Sequence, residues 1–265
     1  GGPGGGAAAV RRGVLAVAGA MGGGRLPPQE AARDTGFDAS LANADTDLAA
    51  LAGRLAAPDA PQAVSLLLSG PPGTGKSAFA RDLALRLGLD PLVKRASDLL
   101  SRWVGGSEQA IAAAFQEAAE ENRFLILDEA DGLLADRRGA AQSWEVTQVN
   151  ELLTWMEHHP LPFACTTNLP ERLDPACLRR FLVKIRFEAL RPDQAAAAFR
   201  RFFGLAPPAA LADLPPLVPA DFALVARKAG LLGAAGDPAA LVRLLGEEAA
   251  ARPGAGAPLG FRPRD

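Results

Sequence analysis

One stretch constrains the fold of this chain more than any other: residues 70–77 read Gly-Pro-Pro-Gly-Thr-Gly-Lys-Ser. They follow the apolar run 64–69 and fit the pattern G-x-x-x-x-G-K-[ST]. Glycines let backbone N–H groups curl round a polyphosphate, and the helix that follows directs its positive dipole end at the same anion. Lys76 is a cation that can reach terminal phosphates, and the Ser77 hydroxyl suits Mg²⁺. The alternative, a glycine-rich turn with a chance lysine, does not explain the apolar run before it.

The composition excludes several classes of protein. The 265 residues contain 28 Lys and Arg against 30 Asp and Glu, so no field of the whole chain would recruit nucleic acid or an acidic membrane. Cys165 and Cys177 form no C-x-x-C pair, and His158-His159 lacks ligand partners at metal spacing. We therefore expect free thiols in a reducing cytoplasm and no metal site at these residues.

Targeting signals are weak. No apolar run approaches the roughly 18 residues of a membrane helix. Arg11-Arg12 followed by the apolar residues 14–21 imitates a secretory signal, but this apolar core is short and rich in alanine and glycine. We expect a cytoplasmic protein without a membrane partner, and because the chain begins with Gly1, we expect a fragment or a processed product.

Strand-like and helical patterns alternate along most of the chain. Strand-like runs lie at 64–69, 92–93, 124–127, 163–166 and 183–187, and helical spacing recurs between them. Ser107 is expected to cap one of these helices, with Glu108 in its first turn. Such alternation favours an α/β fold, a parallel sheet between helices with its ligand at the carboxyl ends of the strands. We predict three parts: a Gly/Ala-rich linker or remnant (1–33), a large α/β subdomain (34–189) and a small all-helical lid subdomain with a C-terminal tail (190–265).

Polar residues end two of the predicted strands. Asp128-Glu129 closes the apolar run 124–127, and Asn168 follows the run 163–166. An aspartate there can hold a Mg²⁺-bound water, while the glutamate can polarise the water that attacks a γ-phosphorus. Asn168 can sense that phosphate or its water. The alternatives are that both acids cap a strand or pair with arginine, and that Asn168 caps a turn.

Together these motifs resemble those of the AAA family of AAA+ ATPases, across roughly residues 34 to 253. Residues 70–77 resemble its Walker A box, 125–131 its Walker B box and 166–168 its sensor 1, and 173–181 is similar to its second region of homology. The resemblance implies a P-loop ATPase core that binds ATP and Mg²⁺ and assembles into a homo-oligomeric ring, usually a hexamer. The site residues that it implies are Glu129, Asp128, Lys76, Asn168, Arg179 and Arg180 for catalysis, Gly70, Pro71, Pro72, Gly73, Thr74, Gly75, Lys76, Ser77 and Phe79 for the nucleotide, and Ser77 and Asp128 for the metal.

The resemblance of residues 173–181 to the second region of homology also implies a role for two arginines. Arg179 and Arg180 are the candidates for the fingers that one subunit of such a ring supplies to the ATP site of its neighbour. The segment lacks the family's common Gly-Arg-Phe-Asp continuation, and a salt-bridged helix end is the alternative. Arg227 is the one candidate for a sensor 2 residue.

The substrate is indicated by Trp103, Val104 and Gly105, which resemble the aromatic-hydrophobic-glycine pore loop of AAA protein unfoldases. An exposed tryptophan could grip an extended polypeptide by apolar contact, whereas the alternative is a tryptophan packed under its own helix. Many relatives have glutamate where Gly106 stands. Residues 137–139, Arg-Arg-Gly, match the site of a second pore loop or an ordinary solvated turn.

Three functions remain open at this point. The leading hypothesis is an ATP-driven ring that remodels, unfolds or threads a protein substrate. The second is a motor or loader that acts on nucleic acid, which the balanced charge and the lack of nearby stacking aromatics disfavour. It would use the basic residues Arg179, Arg180, Lys184, Arg186, Arg191, Arg200 and Arg201. The third is a nucleotide-gated scaffold with low turnover.

Overall fold

A computed structural model describes residues 37–100, 106–135 and 143–252, and of 143–148 it describes only the backbone. Within these ranges one six-stranded sheet has the strand order β1-β6-β2-β5-β4-β3. The strands are β1 (Asn43–Ala44), β2 (Ser65–Ser69), β3 (Asp90–Arg95), β4 (Arg123–Asp128), β5 (Phe163–Thr167) and β6 (Val183–Glu188). The pairs among β2 to β6 are parallel, and the two-residue β1 runs antiparallel to β6.

Helices connect the strands and complete the C-terminal part. They are α1 (Leu48–Leu55), α2 (Lys76–Arg86), α3 (Ala96–Leu99), α4 (Gly106–Glu120), α5 (Ser143–His158), α6 (Pro175–Arg180), α7 (Pro192–Phe203), α8 (Pro219–Leu232) and α9 (Pro238–Ala251). Short 3-10 turns lie at Ala39–Leu41, Ala130–Gly132, Pro170–Arg172 and Ala209–Asp213. Strands and helices thus alternate up to β6, and helices alone follow it.

The sheet is buried on both faces because successive side chains of a strand point to opposite sides. In β4, Leu125 and Leu127 pack in one core with Phe115 of α4. Phe124 and Ile126 pack in the other core, with helices α1 and α2. A continuous apolar strand is what this two-sided burial requires, and it confirms the interpretation of the run 124–127.

The C-terminal helices have a core of their own, in which Phe199, Phe222 and Leu241 are fully buried. Helix α7 begins with Pro192 at its first position, where the missing N–H is harmless, and ends at Gly204 with a φ of 68°. The predicted fold class is confirmed: a mixed α/β core with a mostly parallel sheet, followed by a helical C-terminal part.

Two local expectations differ from the structure. Helix α4 already begins at Gly106, so Ser107 lies inside its first turn and is fully buried; it is not the N-cap that the sequence suggested. Glu108 does lie in that first turn. The short antiparallel strand β1 was not predicted because two residues carry no readable alternation.

Both cysteines and His159 are buried, whereas His158 is exposed. Cys165 and Cys177 are free and buried, and burial raises the pKa of the Cys165 thiol. His159 is buried against the rings of Phe115 and Phe163, and this burial lowers its pKa to about 4. In the part of the chain that the structure describes, no helix is both long enough and apolar enough to cross a membrane.

Candidate active site

The strand order brings the three predicted motifs to one edge of the sheet. Strand β5 lies between β2 and β4 and runs parallel to both, so their carboxyl ends face the same way. The loop 70–75 follows β2, Asp128 ends β4, and Asn168 follows β5. Side chains about forty to ninety residues apart in the chain therefore meet over one surface, as the alternation of strands and helices predicted.

The loop backbone needs its glycines for reasons that lie inside the protein. Gly70 has a φ of 131°, and a Cβ there would lie 2.1 Å from the carbonyl oxygen of Phe187 in β6. Gly73 has a φ of 79°, and its Cβ would lie 2.8 Å from the Cβ of Ala220 in α8. The sequence predicted glycines for close approach to a phosphate; the structure adds that the neighbouring strand and helix leave no room for a side chain at either position.

Lys76 is buried at the start of α2, where it is only 6% exposed. Its Nζ donates hydrogen bonds of 2.8 Å to the carbonyl oxygens of Gly70 and Pro71 and to Oδ1 of Asn168. Burial lowers the pKa of this amine to about 8, against the opposing pull of Asp128, Asp131 and Glu129. The lysine thus links the loop to the end of β5.

Asp128 collects hydrogen bonds from two hydroxyl groups. Ser77 Oγ donates to its Oδ1 at 2.6 Å, and Thr166 Oγ1 donates to the same oxygen at 2.7 Å. Thr166 Oγ1 also accepts the backbone N–H of Glu129 at 3.0 Å. We call Lys76, Ser77, Asp128, Thr166 and Asn168 the bonded cluster.

Glu129 is exposed beside this cluster and has an unusual backbone conformation. Its φ of 55° and ψ of 48° place a non-glycine residue in the left-handed region, which costs free energy. The turn Ala130–Gly132 follows immediately. Such strain is often found at functional sites, and here it turns the carboxyl-bearing residue away from the strand direction.

Asp131 is a residue that the sequence interpretation missed. Its Oδ1 accepts hydrogen bonds from the Thr167 hydroxyl and, at 3.2 Å, from the Leu169 N–H. Leu169 N also contacts Thr167 Oγ1 at 3.0 Å. These bonds connect the turn after β4 to the Thr167 side chain before Asn168 and to the Leu169 backbone after it. The available signal was a third acid close to Asp128 and a pair of threonines directly before Asn168.

The oxygen atoms near Ser77 fit a magnesium ion. Ser77 Oγ and the Asp128 carboxylate are hard donors in direct contact at the start of α2. The described residues contain no group of three or more His, Cys, Asp or Glu side chains that could hold a metal alone. Mg²⁺ takes one or two protein oxygens and completes its shell with phosphate and water, so the Ser77 and Asp128 oxygens suit it.

Phe79, which the resemblance placed among the nucleotide-binding residues, lies in the core of the sheet. It is 1% exposed and packs in the core against Phe37 and Phe187, with ring centroids 5.7 and 6.0 Å away. One turn into α2, its side chain points at the sheet and not at the loop surface. Phe79 therefore supports the loop from below.

The two candidate finger residues differ. Both end α6 and are exposed, and we call this pair the arginine end of α6. The guanidinium of Arg180 forms an ion pair with Glu157 of α5. Arg179 forms no ion pair with any residue that the structure describes. The alternative that the sequence left open, a helix end held by a salt bridge, is therefore observed for Arg180. Both side chains of this ion pair are half-exposed.

The helical C-terminal part contacts the loop at Gly73. Ala220 N in the first turn of α8 donates to the Gly73 carbonyl oxygen at 3.2 Å. Arg227, the sensor 2 candidate, is exposed further along the same helix, and no described contact joins it to the bonded cluster. The pore-loop residues Trp103, Val104 and Gly105, and the second-loop residues 137–139, lie outside the described residues.

Comparisons with known proteins agree with this arrangement. Residues 66–189 match the model of the family described as "ATPase family associated with various cellular activities (AAA)". The chain is 39% identical over 121 residues to Protein SAV of Sulfolobus acidocaldarius, which covers 43% of this chain and 15% of that protein. It is 37% identical over 121 residues to the cell division cycle protein 48 homolog of Archaeoglobus fulgidus, covering 43% and 16%.

A third relative matches more of the chain. Vacuolar protein sorting-associated protein 4 of Dictyostelium discoideum is 31% identical over 148 residues, covering 54% of this chain and 33% of that protein. The chain thus spans a third or less of the length of these relatives. The similarity concerns the part of each relative that contains this module.

Proposed function

We propose that this chain, whose residues 66–189 match the AAA family of ATPases, hydrolyses ATP in a homo-oligomeric ring and uses the energy to remodel a protein. The observation that carries the ATPase proposal is the bonded cluster. Hydrogen bonds there join the loop after β2 to Asp128 and Asn168 at the ends of two other strands. A glycine-rich turn without a catalytic role would not need these three motifs to meet.

Binding of the triphosphate would rest on the loop and on Lys76. Helix α2 has Gly75 at its N-cap and no side-chain cap there, so its first N–H groups suit an anion. The Lys76 ammonium would donate to the terminal phosphates. Mg²⁺, held by Ser77 and Asp128, would neutralise phosphate charge when bound.

Hydrolysis would use the exposed carboxylate of Glu129 as a base. One oxygen of that carboxylate would accept a proton from water as the water oxygen attacks the γ-phosphorus. The bond from that phosphorus to the β–γ bridging oxygen then breaks, which releases ADP and phosphate. Asn168, held by Lys76, would orient the water or the γ-phosphate.

A second molecule would complete the site. The developing charge on the transferred phosphoryl group needs a guanidinium, and the arginine end of α6 presents two of them to solvent. Because Glu157 holds Arg180, we favour Arg179 as the main finger residue. Residues 34–189 would form the ATPase subdomain, 190–265 the lid with its tail, and 1–33 a linker or remnant.

The protein substrate is the least direct part of the proposal. It rests on the resemblance of Trp103, Val104 and Gly105 to a pore loop and on relatives whose names refer to protein sorting and to cell division. A tryptophan on a glycine-containing loop can grip varied polypeptides by apolar contact. The expected partner is therefore an unfolded or extended polypeptide segment. Trp103→Ala should keep the basal ATPase rate and lose stimulation by an unfolded protein.

The decisive experiment measures phosphate release from ATP and Mg²⁺ at a series of protein concentrations. A ring with fingers in trans should show specific activity that rises with concentration and then reaches a plateau. Glu129→Gln should bind ATP and lose hydrolysis, whereas Glu120→Gln, an exposed change at the end of α4, should leave it unchanged. Wild-type activity in Glu129→Gln would refute the catalytic assignment, and nucleotide binding without turnover would favour a scaffold.

A further inference from the structure

Thr166 occupies the only described position where one side chain bonds both acidic residues of the site. Its hydroxyl donates to Asp128 Oδ1 at 2.7 Å and accepts the N–H of Glu129 at 3.0 Å. A threonine hydroxyl has one hydrogen and two lone pairs, so it can do both at once. The side chain is 1% exposed, so water cannot take over either bond without rearrangement.

The strand register explains why a side chain is needed there. The parallel ladder between β4 and β5 ends at the pair Leu127 and Cys165. Beyond it the chain turns at Glu129 into the left-handed region, and that residue's N–H is bonded to Thr166 instead of to a strand carbonyl. The Thr166 hydroxyl therefore stabilises the strained backbone from which the Glu129 carboxylate projects.

The same hydroxyl orients the proposed metal carboxylate. Asp128 Oδ1 also accepts a bond from Ser77, whose oxygen is the other proposed metal donor. Ser77 can turn a lone pair to a cation while its hydrogen still bonds Asp128, so Asp128 Oδ1 would be held by two hydroxyl groups, one of them that of Thr166. Partners of this kind set the orientation and basicity of metal-binding groups.

We propose that Thr166 is a positioning residue, whose hydroxyl holds the Asp128 carboxylate and the Glu129 backbone in register with each other. This rests on the proposed ATPase function, in which Asp128 serves the metal and Glu129 the attacking water. In this role Thr166 would act through Asp128 and Glu129.

Two substitutions separate this role from packing. Thr166→Val keeps the volume and removes the hydroxyl, whereas Thr166→Ser keeps the hydroxyl and removes a methyl group. A positioning role makes Thr166→Val the damaging change, and a packing role makes Thr166→Ser the damaging one. Thr154→Val is the matched control, because Thr154 is exposed on α5 and bonds only its own helix at Asn150.

The first measurement is steady-state ATP hydrolysis. We expect Thr166→Val to lower kcat roughly 10- to 100-fold and to raise KM for ATP in Mg²⁺ by no more than about tenfold, since the loop and Lys76 are untouched while the metal carboxylate is less well held. Thr166→Ser and Thr154→Val should stay within about threefold of wild type. Equal losses in the Val and Ser variants, or unchanged kcat in Thr166→Val, would overturn the proposal.

The second measurement does not depend on hydrolysis. ATP affinity is measured in EDTA and in Mg²⁺. The factor by which Mg²⁺ raises ATP affinity should be about tenfold smaller in Thr166→Val than in wild type. In the nucleotide-free chain, hydrogen exchange followed by NMR should show faster exchange of the Glu129 amide in Thr166→Val but not in Thr166→Ser. If wild type fails to hydrolyse ATP, the proposed function fails while exchange still tests Thr166: unchanged Glu129 protection in Thr166→Val would refute the role.

Discussion

The bonded cluster and the arginine end of α6 are both charged regions, but they are built in opposite ways. In the cluster, Lys76 is nearly buried and its ammonium is bonded to acceptors within its own chain. At the arginine end, the side chains are exposed, and only Arg180 has a described ion pair. Buried charges must be paired where they are, whereas exposed guanidinium groups remain available to another molecule.

This difference suggests how the work is divided. The half of the site that would bind and orient the nucleotide is organised within one chain. The half that would neutralise charge in the transition state is free to act on a neighbouring chain. Hydrolysis would then depend on assembly, while nucleotide binding would not. The following variants test that division, beginning with the largest expected effect.

Loss of Arg179, which has no ion pair with a described residue, should have the largest effect. We expect Arg179→Ala to lower kcat by about 10³-fold or more, as for other arginine fingers, with nucleotide affinity of the single chain unchanged. Mixing this variant with Lys76→Ala should restore part of the activity, because each supplies what the other lacks. Arg200→Ala, exposed on α7, is the control. No recovery on mixing would contradict a finger in trans.

Removal of the buried lysine should affect the other half of the site. Lys76→Met should lower hydrolysis about 10²- to 10³-fold, because a preorganised donor to the phosphates is lost. In contrast to Arg179→Ala, this variant should also bind ATP more weakly at every protein concentration. Lys94→Met removes a partly exposed lysine that pairs with Glu117 and should change little. Equal ATP affinity in Lys76→Met and wild type would contradict the binding role.

Acid should destabilise the fold through His159, which packs against Phe115 and Phe163. His159 lies just after α5, which carries Glu157, and its folded pKa of about 4 lies below the ordinary value of 6.5. Between these values the unfolded chain binds the proton more readily, so stability falls as pH drops from about 6.5 to 4, by up to about 3 kcal/mol. Denaturant unfolding should show that His159→Leu lacks this loss, whereas His158→Leu, an exposed change, retains it. If stability falls with pH equally in both variants, the loss arises from a group other than His159.

The smallest effect concerns the ion pair of Arg180 and Glu157. Both side chains are half-exposed, so a double-mutant cycle in unfolding free energy should give a coupling of about 1 kcal/mol or less, reduced by salt. If this pair holds Arg180 away from a finger role, Arg180→Ala should reduce kcat less than Arg179→Ala. The reverse order would exchange the roles of the two arginines.

Much of the site could be predicted because its motifs are local. Residues 70–77 predict a phosphate loop because glycine, lysine and serine occur there at fixed spacing. Asp128 and Asn168 lie at the ends of apolar runs. The position of a polar residue at the end of a strand needs no knowledge of the strand order. The ladder that places these ends side by side then follows the expected parallel sheet.

Other features were beyond pattern reading. Phe79 has the spacing of a buried helix stripe, but the family resemblance put it among the predicted nucleotide-binding residues. Its contacts with Phe37 and Phe187 show that it lies in the core. Asp131 and Thr167 were missed because their bond joins residues 36 positions apart. Side-chain pairs of this kind depend on strand register and turn geometry, which periodicity does not encode.

By itself the sequence determined that this chain has a phosphate loop, a parallel α/β core and a helical C-terminal part, since each leaves a local signature in spacing and residue type. Only the tertiary structure decided which side chains meet there. It gave Thr166 two acidic partners and tied Arg180 to Glu157 while leaving Arg179 exposed. The physical reason is that hydrogen bonds and ion pairs act over a few ångströms in space, so the order of strands and the ends of helices select the partners.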